Sequence, residues 1–288
     1  MITIELQGGL GNQLFQIFTL INYALINKQQ FMIPYEKKDK FSPGGSPRPT
    51  YWDTLFSELK NFLTTNNTNK LQILGERQFS YQALPLMPKH IRNIKLYGYF
   101  QSPKYFDLHF NNIVKLLKLR EKQQEIKNKF YSEYNSSITT ISMHFRIGDY
   151  VTPQAADAHP VQNCSFYIKS LRTLRNKLKD NNTQQKVIYF CEDEDVERVM
   201  ETINKLVKGF PMLLFERCCC VTTDWEQLLY MSLCDHNIIA NSSFSWWAAY
   251  LNENTDKIVC YPKQWFGEVL NCHDTSDLLP EDWIKIIN

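Results

Sequence analysis

The stretch Ile138–Val151, ITTISMHFRIGDYV, decides how this chain folds. Ile138, Ile141 and Met143, with Thr139 and Thr140 between them, form a β-branched and apolar run of strand length. The run then stops, and His144, Arg146, Gly148 and Asp149 follow at the expected carboxyl end of a buried strand. Open α/β sheets bind their ligands at that end. Arginine suits a phosphate because its fixed fork donates two parallel hydrogen bonds to one oxyanion, and Gly148 lets the backbone come close to a ligand. The plain alternative is a surface salt bridge between Arg146 and Asp149.

Downstream, helical and strand patterns alternate in short units, which predicts a doubly wound parallel sheet. Strands are expected at Val187–Phe190, Met212–Phe215, Asn237–Ala240 and Ile258–Tyr261. Helices are expected near Ser165–Lys179 (a basic one), Val196–Val207, Trp225–Cys234 and Phe244–Leu251, with a last helix in the tail after Trp265.

Upstream, Ile2, Ile4 and Leu6 alternate with Thr3 and Glu5 as a strand does, Gly8–Gly9–Leu10–Gly11–Asn12–Gln13 reads as a tight turn, and Leu14–Leu25 has helical spacing. Such a unit cradles phosphates or sugars at the helix N-terminus, or merely lets helix and strand pack closely. The third glycine of a dinucleotide fingerprint is missing, which argues against a nicotinamide oxidoreductase. Short strands are expected at Phe31–Ile33 and Lys95–Phe100, a loop over 37–50, and one long helix over Asn111–Tyr134. The domain junction is placed near Asn135–Ser137, dividing a lobe 1–135 from a lobe 136–288, with the last helix free to pack back on the first lobe.

A length of 288 residues suits about two domains. The net charge of +2 and the lack of a Lys/Arg-rich block exclude nucleic acid as the expected partner. No apolar run reaches membrane-spanning length, and the N-terminus has no signal-peptide pattern. The eight cysteines all fall in the second half without a CxxC pair, as free thiols in a reducing compartment would. The expected location is the cytoplasm, with membrane association open; a Golgi-lumen location requires an N-terminal anchor absent from these residues. No feature specifies an oligomeric state.

A third stretch, Asn241–Ser242–Ser243–Phe244–Ser245–Trp246–Trp247, follows a strand and opens a helix. Serine hydroxyls and first-turn N–H groups there can hold an anion without a metal, or Ser242 is a simple cap. Asp193 and Asp195 could form the D-x-D that holds a divalent cation on a nucleotide diphosphate, but acidic residues opening a helix are already favoured by its dipole. No metal site is expected.

Three motifs, GGLGNQLFQ at Gly8–Gln16, HFRIGDY at His144–Tyr150 and NSSFSWWAAYL at Asn241–Leu251, together resemble the family 11 glycosyltransferases, the α-1,2-fucosyltransferases. One departure stands out: Ile147 occupies the place of the family's second arginine. The resemblance implies two Rossmann-like lobes of the glycosyltransferase B type, with the nucleotide-sugar site in the C-terminal lobe and the cleft. The implied activity is inverting transfer of L-fucose from GDP-β-L-fucose to the 2-hydroxyl of a terminal galactose in a glycan, with no metal or other cofactor. Catalytic roles are implied for Arg146, Asp149 and Asn12, and GDP-fucose contacts for Gly9, Gly11, Asn12, Gln13, His144, Arg146, Asp193, Asp224, Glu226, Ser242, Ser243 and Phe244. Arg146 would meet the β-phosphate, and Glu226 or Asp224 would read the guanine. The alternatives are a binding module that has lost catalysis, suggested by Ile147, and a fucosyltransferase of another linkage.

Overall fold

The computed structural model describes residues 1–35, 40–41, 47–66, 71–130, 138–153, 155–178 and 183–287. It comprises two compact units, Met1–Lys122 with Cys272–Pro280, and Gln123–Asn271 with Glu281–Asn288. Each is α/β with parallel sheets.

In the first unit, β1 (Ile2–Ile4) leads into α1 (Leu10–Ile26), followed by β2 (Ile33–Pro34), β3 (Lys40–Phe41), β4 (Pro47–Arg48), β5 (Leu63–Thr64), β6 (Gln72–Gly75), β7 (Ile94–Tyr97) and α2 (Phe110–Leu116). Strand β7 lies between β1 and β6, all parallel. In the segment expected to be a loop, β3 and β4 form a short antiparallel pair. Helix α1 buries every residue from Gln13 to Ala24, so it runs through the core and shows no solvent face over that span. Its buried polar groups are bonded in part: Asn22 Nδ2 donates to the Tyr105 carbonyl at 2.7 Å, and Gln16 both accepts from and donates to the Gln7 backbone.

The single helix expected over Asn111–Tyr134 is broken. Lys118 takes φ +50° between α2 and α3 (Leu119–Phe130), and residues 131–137, with the expected junction, lie outside the described residues. On an unbroken helix Leu117 and Leu119 would point about 200° apart. Both are fully buried, and the break is what lets Leu119, Gln123 and Ile126 turn inward. The packing boundary falls within α3, between Lys122 and Gln123.

The second unit contains β8 (Ile138–His144), α4 (Cys164–Lys177), β9 (Gln184–Phe190), α5 (Val196–Gly209), β10 (Leu213–Arg217), α6 (Asp224–Ser232), β11 (His236–Ile238), α7 (Ser243–Leu251), β12 (Val259–Pro262) and β13 (Ile284–Ile286). Its six strands are all parallel, in the order β10-β9-β8-β11-β12-β13. The first strand of the unit, β8, therefore sits in the middle, with the second and third on one side and the fourth to sixth on the other. The winding reverses between β8 and β11, and ligands of such sheets bind outside the strand carboxyl ends at that reversal. Ile141, Met143, Phe166, Leu171, Val187 and Ile238 form part of the core around β8.

No α-helix follows α7 among the described residues, so the helix expected in the tail is corrected. A single 3-10 turn at Glu268–Leu270 precedes residues 272–280, which pack with the first unit. There Ser102 Oγ donates to the Asp277 carbonyl at 2.7 Å and the Tyr81 N–H donates to the Asp277 carboxylate at 3.1 Å. The final Ile284–Lys285–Ile286 has the period-two pattern of a strand, and it pairs beside β12 as β13.

Candidate functional site

The carboxyl end of β8 gathers several polar side chains in the second unit. Phe145 and Ile147 are buried, Phe145 stacking on Tyr167 with ring centroids 4.2 Å apart. Ile147 is 5 % exposed and belongs to the hydrophobic core of the unit, so this position supplies packing here. Arg146, between them, carries a guanidinium that donates to both the Asp149 and the Glu192 carboxylates. The Arg146–Asp149 pair, the plain alternative for these residues, is present, but the two side chains are only 19 % and 15 % exposed. Burial works against the charge on Arg146, yet Tyr150, Asp149 and Glu192 outweigh it and raise its pKa.

Gly148 makes the turn that follows. Its φ of +35° disfavours other residues, and a Cβ there would stand 2.9 Å from a Glu192 carboxylate oxygen. Its N–H donates to the Asp195 carboxylate at 2.7 Å. The acidic run after β9 thus serves the β8 turn: Glu192 holds Arg146 and Asp195 holds Gly148. Asp193, expected to contact the donor, has a side chain 90 % exposed and pairs with Arg217.

His144, the last residue of β8, is 7 % exposed, and its Nδ1 has no hydrogen-bond partner among the described residues. Burial, helped by the neighbouring Arg146 charge, pushes its pKa down to about 3, so the imidazole is neutral. Its ring lies 5.5 Å from that of Phe244 in the first turn of α7. Ser242 caps α7, its Oγ accepting the Phe244 N–H at 3.3 Å. The start of α7 therefore borders the end of β8, as adjacent strands β8 and β11 require.

Tyr150 joins these two pieces. Its ring lies 4.9 Å from the Arg146 guanidinium carbon, and its hydroxyl donates to the Asn241 carbonyl at 3.1 Å, one residue before the α7 cap. Asn241 is fixed in turn: its amide donates to the carbonyls of Pro160 and Trp265 and accepts from Gln162.

Asp224 and Glu226 open α6, which follows β10, two strands from β8. Glu226 is buried, accepts from Lys129 Nζ at 2.8 Å and from Thr223 Oγ1 at 2.6 Å, and those bonds outweigh burial to lower its pKa. Asp224 accepts the Trp225 N–H at 2.7 Å.

The remaining candidates lie in the first unit. Gly8 has φ +73°, and a Cβ there would sit 2.3 Å from Asn12 Nδ2; at Gly9, by contrast, a Cβ would meet nothing within 4 Å. Gly11 is buried in the first turn of α1, and Gln13 Nε2 donates to the Gly8 and Pro49 carbonyls at 3.1 and 2.9 Å. Asn12 Oδ1 accepts from Gln101 Nε2 at 2.8 Å. Gln101 follows Phe100, a bulky residue at φ +52° whose N–H, with that of Tyr99, is held by the Glu76 carboxylate. The glycine turn and this second turn follow adjacent parallel strands, β1 and β7.

His144, Arg146, Asp149, Ser242, Ser243 and Phe244 thus share one edge of the second unit's sheet, while Gly9, Gly11, Asn12 and Gln13 share one edge of the first unit's. Sequence reasoning passed over Tyr150, Glu192 and Gln101 as site residues, and weighed Asp195 only as half of a metal-holding D-x-D. Among the described residues, no group of three or more His, Cys, Asp or Glu side chains is placed to hold a metal ion.

The model of glycosyl transferase family 11 matches residues 1–286 of this chain. An O-antigen biosynthesis glycosyltransferase, WbnK of Escherichia coli, is 27% identical over 314 residues, covering 98% of this chain and 99% of the relative. An alpha-1,2-colitosyltransferase, also of Escherichia coli, is 27% identical over 308 residues, covering 99% of each. Among solved structures, a mutant of Arabidopsis thaliana FUT1 in complex with GDP superposes with a TM-score of 0.47 at 10% identity, over 97% of this chain and 74% of that one. Matched by the family model along nearly its whole length, the chain belongs to glycosyl transferase family 11.

Proposed function

We propose that this chain is an inverting, metal-independent transferase that moves L-fucose from GDP-β-L-fucose to the 2-hydroxyl of a terminal galactose, or a similar sugar, forming an α-1,2 linkage. The observation that carries the reading is Arg146, a largely buried cation at the winding reversal of a parallel sheet, linked through Tyr150 to Asn241, the residue before the α7 cap. The α-1,2 linkage is supported by the name of one relative, and a glycan acceptor by the name of the other.

In this reaction the acceptor oxygen bonds to the anomeric carbon of fucose as the bond from that carbon to the β-phosphate oxygen breaks, and the acceptor hydroxyl's proton passes to solvent. Negative charge grows on GDP while the sugar becomes oxocarbenium-like. Arg146 and the N-terminus of α7 are fixed before the reaction, so they favour the charge that develops over the charge already present. Asp149 is assigned to orienting Arg146, because its carboxylate already receives the guanidinium. Neutral His144 adds a polar ring to the same end of the sheet without a competing positive charge.

The test is release of GDP from GDP-fucose in EDTA, with and without β-galactoside-terminated glycans, followed by NMR of the product. GDP-colitose, the 3-deoxy counterpart, is run beside it because one relative is named for that sugar. Acceptor-dependent release and an α-1,2 product support the reading. Saturable donor binding without release on any acceptor refutes transfer to galactosides, and preference for GDP-colitose refutes fucose as the donor.

A further inference from the structure

We infer that Tyr150 is a positioning residue that sets the distance between the Arg146 guanidinium and the start of α7, and so shapes the seat for a nucleotide diphosphate. The inference rests on the proposed role of Arg146 in holding the donor and adds a residue that acts through it.

Three contacts converge on Tyr150. Its ring lies under the Arg146 guanidinium at 4.9 Å, its hydroxyl donates to the Asn241 carbonyl at 3.1 Å, and it stacks on His159 with centroids 4.8 Å apart and planes 20° from parallel. The local backbone explains why it arrives there. Gly148 turns the chain at positive φ, and the Tyr150 N–H closes on the Ile147 carbonyl at 2.7 Å, folding residues 148–151 into a single 3-10 turn under Arg146.

The two carboxylates that bind Arg146 act on its edges, by hydrogen bonds in the guanidinium plane. They do not by themselves fix the tilt of that plane. An aromatic face beneath it does, through cation–π attraction and packing. The far end of Tyr150 is anchored on Asn241, whose own side chain is tied to Pro160, Gln162 and Trp265 and whose neighbour Ser242 caps α7. Tyr150 is thus a strut: one part of it touches the cation, the other the segment that delivers the helix N-terminus. A diphosphate bridging the two needs their separation fixed, because an oxyanion hydrogen bond weakens steeply when donors are misplaced.

The test is a double-mutant cycle on GDP affinity, measured by calorimetry with GDP itself, so that it depends on no acceptor. Tyr150→Leu removes ring and hydroxyl; Tyr150→Phe keeps the ring on Arg146 and removes only the hydroxyl's anchor on Asn241. The expected result is about a tenfold weaker GDP affinity for Tyr150→Leu, within the range of a cation–π contact, with only part of it restored in Tyr150→Phe, which keeps the ring on Arg146 but loses the bond to Asn241. In an Arg146→Ala background, Tyr150→Leu should cost no further affinity. A merely structural role would lower thermal stability in both backgrounds and leave GDP affinity per folded molecule unchanged, which would overturn the inference. Equal losses in the two backgrounds would also overturn it. If Arg146→Ala alone leaves GDP affinity intact, the fault lies in the underlying reading of Arg146.

Discussion

Replacing His144 by phenylalanine should remove a defined part of the acid sensitivity of the second unit. The folded-state pKa of His144 is pushed down to about 3 by burial and by Arg146, from an ordinary 6.5. Above pH 6.5 neither folded nor unfolded chain holds a proton on this ring, so it contributes no pH dependence. Between 6.5 and about 3 only the unfolded chain takes the proton, so stability falls as pH falls, by about 1.4 kcal/mol per unit. Below about 3 both forms are protonated and the loss levels off. At pH 5 the loss from this residue is about 2 kcal/mol. His159 and His236, whose pKa values burial also lowers, act in the same direction, so the wild-type slope alone does not isolate His144. The difference between wild type and His144→Phe does, because the variant keeps the other two. Trp225, Trp246, Trp247, Trp265 and Trp283 all lie in the second unit, so urea unfolding followed by tryptophan fluorescence reports on the unit that holds His144. Between pH 7 and pH 5 the variant should lose about 2 kcal/mol less than wild type. Equal losses would refute the claim that the buried imidazole resists protonation.

Arg146→Ala should lower turnover on the order of 10²-fold, as removal of one preorganised oxyanion donor does. Its unfolding is to be measured alongside, since Asp149 and Glu192 lose their shared counter-ion. Ile147→Arg, which restores the residue typical of the family, should cost more than about 2 kcal/mol in denaturant unfolding, because the position lies in the hydrophobic core. A variant as stable as wild type would show that the site can open to admit a second cation. Gly8→Ala and Gly9→Ala should differ sharply. The first forces a side chain into positive φ against Asn12 and should lower the melting temperature by several degrees. The second meets nothing within 4 Å, and should leave stability unchanged.

The order of elements in the second unit was legible because its strands are short apolar runs separated by helical periodicity, a pattern that admits little but a wound parallel sheet. The positions of Arg146 and Ser242 followed from the same pattern, since each comes directly after a strand. Other features depended on contacts remote in sequence. Glu192 and Asp195 looked like ordinary acidic residues at a helix start, and their service to Arg146 and Gly148 appears only when β8 and β9 lie side by side. Tyr150 sat within a recognised motif, but its bond to Asn241 spans 91 positions and leaves no local trace. The break at Lys118 was hidden because Leu116, Leu117 and Leu119 continue an apolar pattern, and only the joint burial of Leu117 and Leu119 shows that one straight helix cannot serve them. The tail was misjudged because Ile284–Ile286 is too short for its period to stand out against Trp283 and Ile287.

Whether the end of β8 at Arg146 and the start of α7 together hold the donor diphosphate is decided by a crystal structure of the chain with GDP in EDTA. The expected structure has β-phosphate oxygens within hydrogen-bonding distance of the Arg146 guanidinium and of the first-turn N–H groups of α7, with the Tyr150–Asn241 bond intact. A diphosphate seated instead at the Gly8–Gly9 turn of the first unit, with Arg146 still committed to Asp149 and Glu192 alone, would contradict it.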